Sequence, residues 1–161
     1  MLKLNKIISY TRVSADIFHY GHLRLLQNAK NVSDYHICGL YNDELCHKWN
    51  GNLIMEYDER AAVLEALDCV DEVLKQDELD PINNLKYIHN RFPDSKIIFF
   101  QGHQNWKGLP GTSYVKSIGG DVVKPDYYSR ITRSSIKEKL NNAKEVKPYD
   151  IESYLLGDIS Y

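Results

Sequence analysis

The most informative part of the sequence for the fold is KIISYTRVSADIFHYGHLRLLQNA, residues 6–29. Its first eight residues are rich in β-branched and aromatic side chains, which predicts a strand over residues 6–13. Apolar residues at helical spacing run from His22 to Ala29, so a helix is expected to begin near Gly21. The stretch therefore predicts a strand, a loop and a helix whose inward face begins with a histidine.

The rest of the chain continues this alternation of strand and helix patterns. Further strands are predicted over residues 35–41, 70–74, 96–101 and 121–124, and a loop over residues 42–44. Later helices are expected to be capped by Asp58, by Asp80-Pro81 and by Thr132. Strands that alternate with helices imply right-handed βαβ units, so the expected fold class is α/β, with three layers (α/β/α) and a mainly parallel sheet. We expect one domain over residues 1–140 and a C-terminal extension over residues 141–161 that packs on the domain or on a partner subunit.

Composition narrows the function before any motif is considered. The 161 residues are 43% hydrophobic and 26% charged, which is typical of one soluble globular domain. The formal net charge of −2 argues against nucleic-acid binding, and the longest apolar runs are too short to cross a membrane. The three cysteines lack CxxC spacing and the N-terminus lacks an apolar signal region, so we expect a cytoplasmic protein without a zinc site.

The segment VSADIFHYGH, residues 13–22, carries the chemistry. Two histidines, His19 and His22, lie three residues apart where the first strand gives way to the first helix. A helix N-terminus presents unpaired N–H groups and a partial positive charge, Gly21 allows close approach, and imidazoles add donors. The segment predicts an anion site suited to a triphosphate. Asp16 within it either braces the turn or acts near a metal ion.

The residues HYGH, 19–22, resemble the HxGH signature of the nucleotidyltransferase superfamily. Three later segments, YDER (57–60), VDEV (70–73) and ITRSSIK (131–137), are similar to motifs of its cytidylyltransferase branch, in the same order. The resemblance implies a Rossmann-like enzyme in which the two histidines stabilise negative charge on the nucleotide while pyrophosphate is displaced. Such catalysis is electrostatic and positional.

The same resemblance assigns roles to residues around these motifs. His19, His22 and Arg133 are implied to be catalytic. The implied nucleotide-binding residues are Ser14, Ala15, Asp16, Gly21, Gly102, Thr132 and Ser134. The sequence departs from the family pattern where Val13 replaces a glycine and Ala15 a phenylalanine.

The triplet Ser14-Ala15-Asp16 is most similar to that of cytidylyltransferases of phosphonate biosynthesis. This similarity implies transfer of CMP from CTP to a small phosphonate such as 2-hydroxyethylphosphonate or 2-aminoethylphosphonate, with Mg²⁺ carried by the triphosphate, in a homodimer. Three alternatives stay open: CMP transfer to a phosphate monoester such as glycerol 3-phosphate, adenylyl transfer from ATP, and a nucleotide-binding regulatory module that does not turn over.

Four further residues are weaker candidates for acceptor binding: Lys48, Arg60, His103 and Tyr127. Arg60 is expected to be exposed in the first turn of a helix. A positive charge there is unfavourable to the helix dipole, so it points to an anionic partner. His36 and His89 are expected to be structural or solvent-facing.

Overall fold

The structure is a computed structural model that describes residues 6–101, 110–126 and 128–143. The strands are β1 (Ile7–Val13), β2 (Tyr35–Tyr41), β3 (Glu72–Gln76), β4 (Lys96–Phe100) and β5 (Asp121–Val123). The helices are α1 (Tyr20–Asn31), α2 (Asp43–Asn50), α3 (Tyr57–Glu65), α4 (Ile82–Arg91), α5 (Pro110–Ser117) and α6 (Arg133–Asn141). The five strands form one parallel sheet in the order β3-β2-β1-β4-β5, which confirms the predicted fold class.

Side chains of the central strand β1 alternate between two cores. Ile8 and Tyr10 pack in a cluster with Leu85 of α4 and Val115 of α5. Val13 packs on the opposite face, in a second cluster supplied by α1 and α3. Because successive strand residues point to opposite faces, both sides of β1 are covered and the three-layer architecture follows.

The topology brings the ends of β1 and β4 together. The chain builds β2 and β3 on one side of β1 and then crosses over to place β4 and β5 on the other. This reversal of strand order leaves a crevice outside the carboxyl ends of β1 and β4, which is where open α/β sheets bind ligands. Residues 14–19, which include the predicted site residues Ser14, Ala15, Asp16 and His19, leave β1 at this crevice.

Several predicted boundaries are wrong. Residues 43 and 44 open helix α2 instead of forming a loop, because the Asn42 side chain accepts a hydrogen bond from the Leu45 amide at 2.7 Å and caps the helix. Helix α3 is capped by Glu56 instead of Asp58, and β3 begins at Glu72, two residues later than predicted. Helix α5 was not anticipated.

Other local predictions are confirmed. Strand β2 has the predicted bounds, and Thr132 caps α6. Helix α4 is an exception, because Pro81 is its N-cap residue and the helix begins at Ile82, one residue later than predicted, although the Asp80 carboxylate still accepts from the Ile82 amide at 2.9 Å. His36 is structural, since it is fully buried and its Nε2 lies 2.9 Å from Thr11 Oγ1.

Some predictions fall beyond the described residues. Gly102, His103 and Tyr127 lie outside them, as does the extension from residue 144 onward. Within the described ranges, none of the helices combines the length and apolar character that a bilayer crossing needs.

Candidate active site

Two imidazoles cap the N-terminus of α1. His19 is the N-cap residue, and its Nδ1 accepts the Gly21 N–H at 3.0 Å. His22 Nδ1 accepts the His19 N–H at 3.4 Å, which completes a reciprocal capping box. Because each Nδ1 acts as an acceptor, the proton of each neutral ring resides on Nε2. Each ring can therefore donate an Nε2–H to an anion.

The two imidazole rings lie next to each other. Their centroids lie 4.1 Å apart, and Phe18 stacks on His22 at 5.6 Å. Burial, with a smaller contribution from the neighbouring His19, lowers the pKa of His22 to about 4. Burial also lowers the pKa of His19. Both imidazoles are neutral at pH 7, so they act as fixed hydrogen-bond donors before any ligand binds.

Stability is expected to fall in mild acid because of His22. Its pKa is about 4 in the folded chain against 6.5 ordinarily, so the unfolded state holds more protons between those values. The free energy of unfolding should thus decrease as pH falls from 6.5 towards 4, and His22 should contribute up to about 3 kcal/mol of that decrease. Urea unfolding between pH 7.5 and 4.5 checks this: His22→Gln should give a flatter profile, and parallel profiles would refute the assignment.

The loop after β1 holds two residues in the left-handed region of backbone space. Ala15 has φ 53° and Ile17 has φ 60°, backbone conformations that residues other than glycine rarely adopt. Asp16 between them is fully buried. Its Oδ1 accepts the amides of Ile54 at 2.8 Å and Met55 at 3.1 Å. The carboxylate therefore holds this strained loop in place.

Asp16 is also the anchor for α6. Its Oδ2 accepts Arg133 Nε at 2.8 Å and lies 2.8 Å from Arg133 Nη2. Burial raises the pKa of Asp16, but the Ile54 and Met55 amides together with Arg133 outweigh it and lower the pKa overall. Asp16 is thus a carboxylate at neutral pH. Of the two roles left open for it, bracing accounts for all of these contacts.

The N-termini of α1 and α6 meet. A Cβ placed on Gly21 would lie 2.8 Å from His19 Cε1 and 3.6 Å from the carbonyl oxygen of Ile131. The rings of Tyr20 and Tyr128 make an edge-to-face contact at 4.9 Å. Together with the Asp16–Arg133 ion pair, these contacts place the opening turn of the last helix beside the two imidazoles.

Thr132 and Ser134 lie at that opening turn. Thr132 Oγ1 accepts the Ser135 amide at 3.1 Å, and Ser135 Oγ accepts the Thr132 amide at 2.9 Å, which forms a second capping box. Ser134 is exposed. The first-turn amides of a helix have no intrahelical acceptor, so those of α6 add N–H donors at this place.

We expect the Asp16–Arg133 pair to be energetically coupled. Asp16 is fully buried and the Arg133 side chain is 20% exposed, so removing one partner leaves a poorly solvated charge. A double-mutant cycle with Asp16→Asn and Arg133→Gln should give a coupling of about 0.5–3 kcal/mol in urea unfolding. The exposed Lys75–Asp77 pair is the control and should give less than about 1 kcal/mol. Equal coupling in the two pairs would contradict the anchoring role.

The expectation of an exposed Arg60 is wrong. Its side chain is fully buried, and Nη2 lies 2.6 Å from Asp43 Oδ1. Its Nη1 donates to the carbonyls of Ser14 and Tyr41, and its Nε to that of Met55. Arg60 fails as a surface cation because it lies on the inward face of α3, where it reaches carbonyls of β2 and of the loop after β1, whereas Asp58 and Glu59 before it are exposed. It holds backbone in place and has no group turned to a substrate.

Lys48 is exposed in the last turn of α2, and its contact with an acceptor stays a prediction. Two residues near the crevice were not singled out from the sequence. Asp43, which pairs with Arg60, lies in a segment for which the sequence predicts a loop. For Arg12 the sequence predicts only a strand, although a lone cation in an apolar strand is a usable signal.

A parallel α/β fold in which the HYGH segment leads from β1 to the capped N-terminus of α1 is the arrangement that the HxGH resemblance implied. A family described as "Cytidylyltransferase-like" matches residues 13–127. The chain belongs to this cytidylyltransferase-like family of nucleotidyltransferases.

Individual relatives agree with this assignment. The bifunctional protein HldE of Citrifermentans bemidjiense is 33% identical over 137 residues, covering 84% of this chain and 27% of that protein. Glycerol-3-phosphate cytidylyltransferase of Bacillus spizizenii is 40% identical over 73 residues, covering 45% of this chain and 55% of that one. The chain thus spans about a quarter of the length of the HldE proteins.

A solved structure supports the fold independently. The lipopolysaccharide core biosynthesis protein of Thermoplasma volcanium has a TM-score of 0.64 and 21% identity to this chain. The match covers 78% of this chain and all of that one. At this identity the likeness bears on architecture alone.

Proposed function

We propose that this chain transfers CMP from CTP to a small phosphonate and releases pyrophosphate. The observation that carries the proposal is the junction of the N-termini of α1 and α6 around two neutral imidazoles. Two helix N-termini and two Nε2–H donors directed at one space form a site for a polyphosphate. The family to which the chain belongs supports a nucleotide as the molecule that carries it.

The proposed chemistry is an in-line displacement. An acceptor oxygen forms a bond to the α-phosphorus while the bond from that phosphorus to the bridging oxygen breaks, and the bond's electrons leave with pyrophosphate. His19 and His22 donate Nε2–H to the oxygens on which charge accumulates. The amides and hydroxyls of Thr132 and Ser134 hold the outer phosphates. Arg133, bound to Asp16, positions that turn.

Magnesium is proposed to arrive with the triphosphate. The described residues contain no group of three or more His, Cys, Asp or Glu side chains arranged to hold a metal ion. Mg²⁺ is readily bound by phosphate oxygens and water, so a site without a cluster of protein ligands could still receive it with the triphosphate. Bound in this way, the ion would neutralise charge on the leaving pyrophosphate.

The acceptor class is supported by the loop after β1. The similarity of the triplet Ser14-Ala15-Asp16 to that of phosphonate cytidylyltransferases favours a phosphonate as the acceptor. All three residues lie in the loop that Asp16 holds in place. A phosphate monoester is the second candidate, favoured by the 40% identity to a glycerol-3-phosphate cytidylyltransferase. Both acceptors present a phosphoryl oxygen as the nucleophile.

We also propose that the chain forms a homodimer. Sedimentation velocity tests this oligomeric state.

Pyrophosphate release tests the proposal. The chain is incubated with CTP, Mg²⁺ and 2-hydroxyethylphosphonate, 2-aminoethylphosphonate or glycerol 3-phosphate, and the same panel is repeated with ATP. We expect release with CTP and one phosphonate. Release with ATP alone would establish adenylyl transfer. A CTP-induced rise in melting temperature without release from any acceptor, unchanged in His19→Ala, would establish a regulatory module instead.

A further inference from the structure

Within the part of the chain that the structure describes, Arg12 is a buried cation that forms no ion pair with a carboxylate. It is the penultimate residue of β1 and is 9% exposed. Its Nη1 donates to the carbonyl of Leu79, and its guanidinium lies 5.1 Å from the centroid of the Phe99 ring. Within the described residues its Nε is buried without an acceptor, and no carboxylate forms an ion pair with it. A buried charge in this state is costly unless something else supplies the anion.

The other buried arginine of the described structure, Arg60, is better satisfied than Arg12. Arg60 is fully buried and has a carboxylate at 2.6 Å as well as three carbonyl acceptors. Asp80, next to Leu79, uses its Oδ1 for the amides of Ile82 and Gly111, whereas its Oδ2 is buried without a hydrogen-bond partner. Within the described residues Asp80 forms no ion pair with Arg12, so Arg12 is a buried arginine near the end of β1 without a carboxylate partner.

Arg12 and the two histidines lie on opposite faces of the carboxyl end of β1. Side chains alternate along the strand, so Arg12 shares the face of Ile8 and Tyr10, which α4 and α5 cover. Helix α1, which begins at the His19 cap, covers the other face. The carboxyl end of β1 therefore has imidazole donors on one side and a guanidinium on the other.

In-line displacement requires binding groups on two opposite sides of the reacting phosphorus. The attacking oxygen and the leaving oxygen occupy opposite sides of the α-phosphorus. If pyrophosphate leaves towards the N-termini of α1 and α6, the acceptor must approach from the β4 side, where Arg12 lies over Phe99.

We propose that Arg12 binds the phosphoryl group of the acceptor, a phosphonate or a phosphate monoester. This inference rests on the proposed function. Two acceptor oxygens receive N–H groups from the guanidinium while the third attacks the α-phosphorus. In this arrangement Arg12 determines affinity for the acceptor and contributes little to affinity for CTP.

Kinetics and binding of Arg12→Gln and Arg12→Lys test the inference. Arg12→Gln should raise the acceptor KM roughly 10- to 100-fold and leave the KM for CTP and the CTP-induced thermal shift unchanged. Arg12→Lys keeps the charge, so it should fold like the wild type and lose less acceptor affinity. Arg91→Gln is the control, because Arg91 pairs with Glu72 at the opposite edge of the sheet. The acceptor whose KM changes most in Arg12→Gln identifies the class that Arg12 binds.

Direct binding separates failure of the inference from failure of the proposed function. ³¹P NMR titrations without nucleotide compare 2-aminoethylphosphonate and glycerol 3-phosphate on the wild type and both variants. Weaker binding to Arg12→Gln supports the inference even if no acceptor turns over, in which case only the proposed reaction fails. Equal affinity in wild type and Arg12→Gln, including no measurable binding to either, would overturn it. So would an effect of Arg12→Gln confined to CTP.

Discussion

Replacing His22 by Ala is expected to lower kcat by roughly 100- to 1,000-fold, because one preorganised donor to transition-state charge has about that effect. His22 is held by its Nδ1 bond to the His19 amide and by the Phe18 ring, so its Nε2–H is fixed before substrate binds. The KM for CTP should change less than kcat, since the donor acts mainly on charge that develops during displacement.

Pyrophosphate release under saturating substrates is the measurement, and His47→Ala is the control. His47 is an exposed histidine in the last turn of α2, so its removal should leave kcat unchanged. His22→Gln keeps an acceptor for the capping bond and serves if the alanine variant melts early. Full activity in a folded His22→Ala variant would show that the imidazole is not catalytic.

Replacing Arg60 by Met is expected to destabilise the fold by about 3–5 kcal/mol, because the fully buried guanidinium donates to three backbone carbonyls as well as to Asp43, whose side chain is 32% exposed. The change leaves Asp43 without its partner at 2.6 Å and removes the donors to three backbone carbonyls. One of those carbonyls is that of Ser14, so the loop beside the histidines should loosen as well.

Urea unfolding of Arg60→Met measures this effect, with Arg91→Met as the control. The Arg91–Glu72 pair is partly exposed, so its loss should cost under about 1 kcal/mol. An Arg60→Met variant that keeps wild-type stability but raises the acceptor KM would restore the surface role predicted from the sequence.

The features predicted correctly from the sequence are those with local signals. Strand β2 is a mainly apolar and aromatic run, YHICGLY, and its bounds match that run. His19 at the start of α1 follows from the glycine and the apolar repeat next to it. Thr132 is a favoured N-cap residue ahead of an apolar repeat, so its role in α6 could be predicted without tertiary contacts.

The features that were missed depend on contacts between distant parts of the chain or on ambiguous local signals. The sequence predicts a loop at Asn42, because an asparagine side chain can stabilise a turn as well as cap a helix, and in the structure it caps α2. Arg60 has the sequence context of a surface residue, and its burial depends on Asp43 and on carbonyls of β2 and the loop after β1. The Asp16–Arg133 pair joins residues 117 positions apart, and no local pattern indicates that they meet.

A crystal structure with CTP and Mg²⁺ tests the central claim most directly, because it shows where the polyphosphate lies. We expect phosphate oxygens within hydrogen-bond distance of Nε2 of His19 and His22, with the outer phosphates at the amides of the first turn of α6. A nucleotide whose phosphates lie elsewhere, with both imidazoles facing solvent, would contradict the account.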